Sequence, residues 1–184
     1  MIVIDIGACV GEFFKQYLDK PDVLIYAFEP LSINFKYLKD NYSDDRIKLY
    51  QIAVSNFDGE SRFYKKFKVV NGRRQYDYVT CAGSSLKQDK KNVDPNVYEV
   101  VKVIKISTFV HQNKINKIDM LKIDVEGSEY DVIEDILDSK LYEITNRIHY
   151  EDHTRKLRSI RDKRDIILSR IEKLGIENKF ILGK

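Results

Sequence analysis

Cysteine and histidine are scarce, with two of the first and three of the second in 184 residues. Cys9, Cys81 and three histidines are too few soft ligands for a zinc cluster, and two thiols do not make the disulfide framework of a small secreted domain. No segment approaches the roughly 20 consecutive apolar residues that a membrane-spanning helix needs. The opening residues Met1-Ile2-Val3-Ile4-Asp5 lack the basic segment, long apolar run and cleavage site of a signal peptide. Neither sign of charge dominates, since 32 Lys and Arg against 29 Asp and Glu leave a net charge of +3. A protein dedicated to duplex nucleic acid is usually more one-sided. Internal repeats and low-complexity tracts are absent from the sequence, which sets aside solenoids and linkers. What is present is a globular balance of 43% hydrophobic and 33% charged residues. That suffices for one domain with a continuous core, and the expectation is a soluble, cytoplasmic protein forming a single domain over 1–184.

Short apolar runs alternate with helical patterns along the first third of the chain. Strands are expected at 2–6, 24–28 and 47–54, with helices at 11–18 and 32–41. Proline at 30 disfavours helix for Glu29 before it and closes the second strand. Strand, helix, strand, helix, strand is the order of a doubly wound, mostly parallel α/β sheet. Residues 60–106 break the pattern and read as a β-rich insertion of hairpin strands and loops. Alternation resumes with strands at 118–125 and 144–150, a helix at 130–137, and an amphipathic helix at 155–174. That last helix places Leu157, Ile160, Ile167, Leu168, Ile171 and Leu174 on one face. A short strand at 179–182 ends the pattern.

The first strand runs into Asp5-Ile6-Gly7-Ala8-Cys9-Val10-Gly11-Glu12. In open α/β sheets the ligand crevice lies beyond the carboxyl ends of the strands, and glycine there allows close backbone approach. The dinucleotide fingerprint Gly-x-Gly-x-x-Gly fails, because Cys9 and Glu12 occupy its second and third glycine places. An acid two residues before Gly7, and another opening the helix, disfavour a pyrophosphate. Glu29 lies roughly two dozen residues after Asp5 at the end of the second strand, where a carboxylate can accept both hydroxyls of a ribose. It could equally cap the helix after Pro30. Together, loop and acid point to a nucleoside ligand with no need of phosphate recognition.

Four segments in order carry a family resemblance: Asp-Ile-Gly-Ala-x-x-Gly from Asp5, Ala27-Phe28-Glu29-Pro30, Ala53-Val54-Ser55, and Leu121-Lys122-Ile123-Asp124-Val125-Glu126-Gly127-Ser128-Glu129. Over residues 2–137 the chain resembles the FkbM family of S-adenosylmethionine-dependent methyltransferases. The resemblance implies a class I methyltransferase fold, with seven strands of which one is antiparallel, and O-methylation of a sugar or polyketide-type hydroxyl. It implies that Asp5, Gly7, Ala8 and Gly11 line the methionine and ribose part of S-adenosyl-L-methionine. Glu29 would hold the ribose hydroxyls, Pro30 would flank the adenine, and Ala53 would sit beside the ring. Cys9 stands where the family usually has asparagine, and Ser107 replaces a common aspartate ahead of a helix at Thr108, where serine can still serve as an N-cap. The family's usual leader before the first strand has no counterpart ahead of Met1. The acceptor lid is therefore expected from 60–106, the C-terminal helix or a partner chain. Gly83-Ser84-Ser85-Leu86 is similar to a family segment near the acceptor, and reads equally as an ordinary loop.

Methyl transfer needs an aligned nucleophile and a base for its proton. Asp124, Glu151 and His153 follow strand ends that would face one crevice and are the candidate catalytic residues. Asp124, Glu151 and Asp152 could converge on a divalent cation such as Mg. Against this, Glu126 with Gly127 could cap the helix from Ser128, and Asp152 the helix from Thr154. His149 reads as a packed strand residue. Arg155, Lys156, Arg158, Arg161, Lys163, Arg164 and Arg170 make the last helix basic, but interleaved Asp162, Asp165 and Glu172 favour a solvated, ion-paired face over nucleic acid. The expected function is O-methylation of a sugar hydroxyl on a glycan or glycolipid, with a homodimer or a glycosyltransferase as conceivable partners. RNA methylation through the basic helix and non-catalytic binding are the alternatives, and a nicotinamide-dependent oxidoreductase is disfavoured by the broken fingerprint.

Overall fold

The computed structural model describes residues 1–76 and 83–183, so Cys81 lies outside the described residues. In chain order the elements are β1 (Ile2–Ile6), α1 (Glu12–Lys15), β2 (Leu24–Phe28), α2 (Ser32–Asn41), β3 (Ile47–Tyr50) and β4 (Ala53–Ser55). Then follow β5 (Gly59–Lys66), β6 (Lys68–Val70), β7 (Arg73–Gln75), β8 (Val93–Lys105) and α3 (Ile106–Gln112). The chain continues through β9 (Ile118–Ile123), α4 (Glu129–Asp138), β10 (Thr145–Tyr150), α5 (Arg161–Leu174) and β11 (Phe180–Leu182).

The main sheet has the order β11-β10-β9-β1-β2-β3, and all of its pairings are parallel. From β1 the chain winds outward to β2 and β3, then restarts on the other side with β9. The switch point therefore lies between β1 and β9, where open α/β sheets place their ligands. Val3, Ile25 and Ala27 pack with Phe14 and Leu38 on one face. Ile4, Ile6, Phe28, Leu121, Ile123 and Ile148 pack on the other, with Phe109, Ile133, Ile136 and Ile167 from the helices. Burial on both faces explains why these strands read as continuous apolar runs. Each fully buried Ile, Leu or Phe contributes about 1.5–3 kcal/mol through removal of apolar surface from water.

The doubly wound expectation holds, with differences that have local causes. The third strand divides: β3 stays in the main sheet, while β4 pairs in parallel with β8 in a smaller sheet of order β4-β8-β5. The last β2–β3 rung is the Glu29 N–H donating to the Tyr50 carbonyl at 3.0 Å. Pro30 has no N–H with which to extend the ladder. The small sheet is the β-rich insertion, joined by Phe63, Val101 and Val103 to Leu31 and Ala53. β6 and β7 form a hairpin around Asn71-Gly72, both at positive φ (51° and 74°), the conformation of a tight two-residue turn. The seven-stranded sheet with one antiparallel member is not seen. Among the described residues the main sheet has six strands, because β11 joins β10 in parallel and antiparallel pairing is confined to the insertion.

Two helices are shorter than their apolar patterns. α1 ends at Lys15 and continues as turns, and α5 starts at Arg161 after a 3-10 turn at Arg158–Ile160. Asp152 accepts the N–H and hydroxyl of Thr154 at 2.9 and 3.0 Å, so it closes a turn where a helix start was expected. Ser107 is likewise no N-cap: α3 begins one residue earlier, and the Ser107 hydroxyl and N–H both donate to Asp135 on α4. Among the described residues, no helix is long and apolar enough to cross a membrane.

Candidate active site

The turn after β1 is fixed by its neighbours. The N–H groups of Gly7 and Ala8 both donate to the Phe28 carbonyl, at 3.0 and 2.9 Å. At Gly7 the backbone has φ 81°, and a Cβ would stand 1.8 Å from the Asp124 carbonyl oxygen. Only glycine lets the β1 and β9 turns approach this closely. Gly11, at φ 86°, begins α1, and Cys9 between them also has positive φ, at 51°. Asp5 lies opposite Lys122 in the β1–β9 register and is fully buried. The Lys122 ammonium stands 3.3 Å from Asp5 and 3.4 Å from Asp124, and donates to the Gly7 carbonyl at 2.8 Å. Burial raises the pKa of Asp5 against the pull of Lys122. Burial also works against the charge on Lys122, but Asp5 and Asp124 outweigh it and hold the ammonium above the usual lysine range.

Glu29 is buried beside this turn. Its carboxylate accepts the N–H of Cys9 and the N–H of Leu31, each at 2.9 Å. The second bond holds the residue ahead of α2, whose first N–H, that of Ser32, is instead taken by Glu99, so Glu29 does not cap the helix; the first ties the acid to the glycine turn. Burial pushes the Glu29 pKa up to about 7, opposed by those N–H bonds and by Lys122. Asn34 on α2 faces the same space; its side chain is buried and its Oδ1 has no hydrogen-bond partner. The Cys9 thiol, 3.8 Å from the Asn34 amide, is pushed up to about 12 by burial and by Glu29, which rules it out as a nucleophile near neutrality.

These groups open into one narrow cleft. Gly7, Cys9, Glu29, Pro30, Ala53 and Asp124 all line it. The insertion supplies its other wall with Phe63, Gly83, Ser84 and Leu86. Among the described residues its charged lining members are Glu29, Asp124 and Glu126. Of the expected cofactor-binding residues, Asp5, Ala8 and Gly11 lie outside this lining. Glu151 and His153 stand outside the lining; His153 meets Glu126, and Glu151 meets His153.

Glu126 has positive φ (55°). Its Oε2 lies 3.2 Å from His153 Nε2, 2.7 Å from Lys90 Nζ and 3.7 Å from Lys156 Nζ. The helix-start role expected of Glu126 falls to Glu129, whose fully buried carboxylate accepts the N–H groups of Val125 and Gly127. The same Glu129 binds His153 Nδ1 at 2.9 Å and so directs Nε2 toward Glu126. Burial disfavours the imidazolium, but Glu129 and Glu126 outweigh it and raise the His153 pKa. Glu151 Oε2 is 3.7 Å from His153 Nε2.

Asp124, Glu126 and His153 each bring a ligand atom within 4.8 Å of the others. That trio shares only Asp124 with the expected set Asp124, Glu151 and Asp152. Asp152 is engaged by Thr154, and Glu151 remains beside His153. The trio sits among ammonium groups, with Lys90 on Glu126 and Lys122 beside Asp124, a poor environment for a dication.

Sequence reasoning missed Lys90, Lys122, Asn34 and Glu129. A lysine in an apolar strand two residues before Asp124 was a readable sign for Lys122, and Glu129 stood inside the quoted motif. Lys90 and Asn34 carried no local signal. Ser85 donates to the Glu126 carbonyl at 2.8 Å, so the serine segment does meet the site. His149 is a half-buried strand residue with its ring 5.9 Å from Phe13, as expected. On α5, Lys163 pairs with Asp131 and Glu134, and Arg170 with Asp138, all on α4, while of the interleaved acids Asp165 pairs with Arg164.

The family model for the methyltransferase FkbM domain matches residues 5–175. The 31-O-demethyl-FK506 methyltransferase FkbM of Streptomyces tacrolimicus is 27% identical over 172 residues, covering 82% of this chain and 66% of that protein. The 2-O-methyltransferase NoeI of Sinorhizobium fredii (strain NBRC 101917 / NGR234) is 24% identical over 140 residues, covering 72% of this chain and 56% of its own length. The chain thus spans just under two thirds of the one relative and a little over half of the other. No solved structure matches it.

Proposed function

The chain belongs to the FkbM methyltransferase family, and from that premise we propose that it transfers the methyl group of S-adenosylmethionine to a hydroxyl oxygen of a small acceptor, a sugar hydroxyl of a glycan or glycolipid. The observation that carries the cofactor reading is Glu29, whose buried carboxylate lines the cleft and is tied to the glycine turn by the Cys9 N–H. The free lone pairs of the Glu29 oxygens can accept the two ribose hydroxyls while its N–H bonds to Cys9 and Leu31 keep it in place. Pro30 and Ala53 offer apolar surface for a base, and the unpartnered Asn34 oxygen can accept a hydrogen bond from the ligand.

When bound, S-adenosylmethionine would supply an electrophilic methyl group carried on a sulfonium. Asp124 stands at the strand end facing the cleft and receives the hydroxyl proton. Glu126 and His153 form the adjoining polar wall, with Glu129 fixing the imidazole. Ser84 and Leu86 of the insertion border the acceptor's side.

Calorimetric titration with S-adenosylmethionine and, separately, NAD tests the cofactor. Micromolar binding of the first alone, lost in Glu29→Ala, is expected. Binding of NAD instead, or unchanged affinity in Glu29→Ala, removes the reading. Methyl-labelled cofactor offered with deoxysugar glycans then tests the acceptor class, and labelling of RNA in preference to sugars would move the acceptor to nucleic acid.

A further inference from the structure

The trio Asp124, Glu126 and His153 has the spacing of a metal site, with its ligand atoms within 4.8 Å of one another. The oxygen that a metal would need, Glu126 Oε2, is already 2.7 Å from the ammonium of Lys90. That ammonium is fully buried and donates also to the Gly83 carbonyl. A surface lysine could swing into water to admit a metal. Lys90 is enclosed by the insertion, and moving it would strip a buried charge of both partners. Lys156 lies 3.7 Å from the same oxygen, and Lys122 lies 3.4 Å from Asp124. A divalent cation at this trio would thus stand against the buried ammonium of Lys90 on Glu126 and against that of Lys122, which Asp124 shares with Asp5.

We infer that Lys90 is a built-in cation: its ammonium holds the place beside Glu126 that a divalent metal would take, and the Asp124–Glu126–His153 cluster operates without a metal. Lys90 is a positioning residue. It keeps Glu126 ionised and turned toward His153, and leaves the more exposed Asp124 to face the cleft. Because Lys90 and Gly83 both belong to the insertion, seating that segment also delivers the charge. The inference concerns metal binding and stands apart from the methyl-transfer reading.

The test is titration of Mn²⁺ into the full chain, read by electron paramagnetic resonance, for the wild type, Lys90→Gln, and Lys90→Gln with Glu126→Gln. The wild type should show no saturable site up to millimolar metal. Lys90→Gln keeps a hydrogen-bond donor but removes the charge, and should bind Mn²⁺ about tenfold more tightly or better. Adding Glu126→Gln should abolish that gain. Saturable wild-type binding that Glu126→Gln removes would overturn the inference, as would a folded Lys90→Gln that binds no better than the wild type. Should Lys90→Gln fail to fold, the wild-type titration with Glu126→Gln as its control decides alone.

Discussion

Lys122 on β9 donates to the carbonyl of Gly7 at 2.8 Å while lying directly opposite Asp5 in the β1–β9 register. One ammonium therefore neutralises a fully buried carboxylate and pins the turn that opens the cleft. It also stands 3.4 Å from Asp124, so the charge at the switch point is shared between the two strands that flank it.

Lys122→Met should cost on the order of 3 kcal/mol or more, because it leaves Asp5 buried without its cation. Combining it with Asp5→Asn should return part of that loss. Urea unfolding at pH 7 measures both, and two losses that simply add would show that the pair is not coupled.

Gly7→Ala should be far more damaging than a usual surface substitution. The new methyl group would stand 1.8 Å from the Asp124 carbonyl oxygen, at a φ of 81° that side chains avoid. Loss of the cooperative thermal transition by circular dichroism is expected. A variant that melts like the wild type would mean that the β1 and β9 turns separate without cost.

Glu29 gives a pH signature whose sign follows from its raised pKa. Between its ordinary value of 4.5 and about 7, the folded chain holds a proton there that the unfolded chain has released. Its contribution to stability is therefore full below pH 4.5 and declines as pH rises through 7. Glu29→Gln removes this dependence, so the variant should gain on the wild type by on the order of 2 kcal/mol across the window. Parallel stability–pH curves for the two proteins would contradict the burial argument.

His153 owes its raised pKa to Glu129 and Glu126, against burial. Glu129→Gln should lower it, read from the imidazole resonances in an NMR titration. The stability that the imidazolium contributes is present below its ordinary value of 6.5 and lost as pH rises through the folded value. An unmoved titration would mean that Glu129 only braces the Val125 and Gly127 N–H groups.

Asp124→Asn should leave affinity for S-adenosylmethionine nearly intact while slowing methyl transfer about a hundredfold, the usual share of a general base. Separate measurement of Kd and kcat distinguishes this from a binding defect. Undiminished kcat would return Asp124 to a structural role.

Much of the site was legible because its backbone requirements are local. Gly7 and Gly11 mark a strand-to-helix turn, and Glu29-Pro30 marks a strand end with an acid on it. Both sit at carboxyl ends of strands, which a parallel sheet brings to one edge. The metal set was misjudged because proximity along the chain stood in for direction. Asp152 turns back onto Thr154, and Glu126 meets His153. Strand 47–54 was read as one element, since the partner that β3 loses at Pro30 lies on another strand.

By itself the sequence determined the alternation of strand and helix, the switch-point loop and the acids beside it, because these depend on period, turn chemistry and the residue at a strand's end. Tertiary structure alone decided which cations meet those acids. Lys122 reaches Asp5 across 117 positions of sequence only through strand register, and Lys90 reaches Glu126 only once the insertion folds over the cleft. Charge pairing in a buried site depends on distance in space and on exclusion of water, and neither is written in the order of residues.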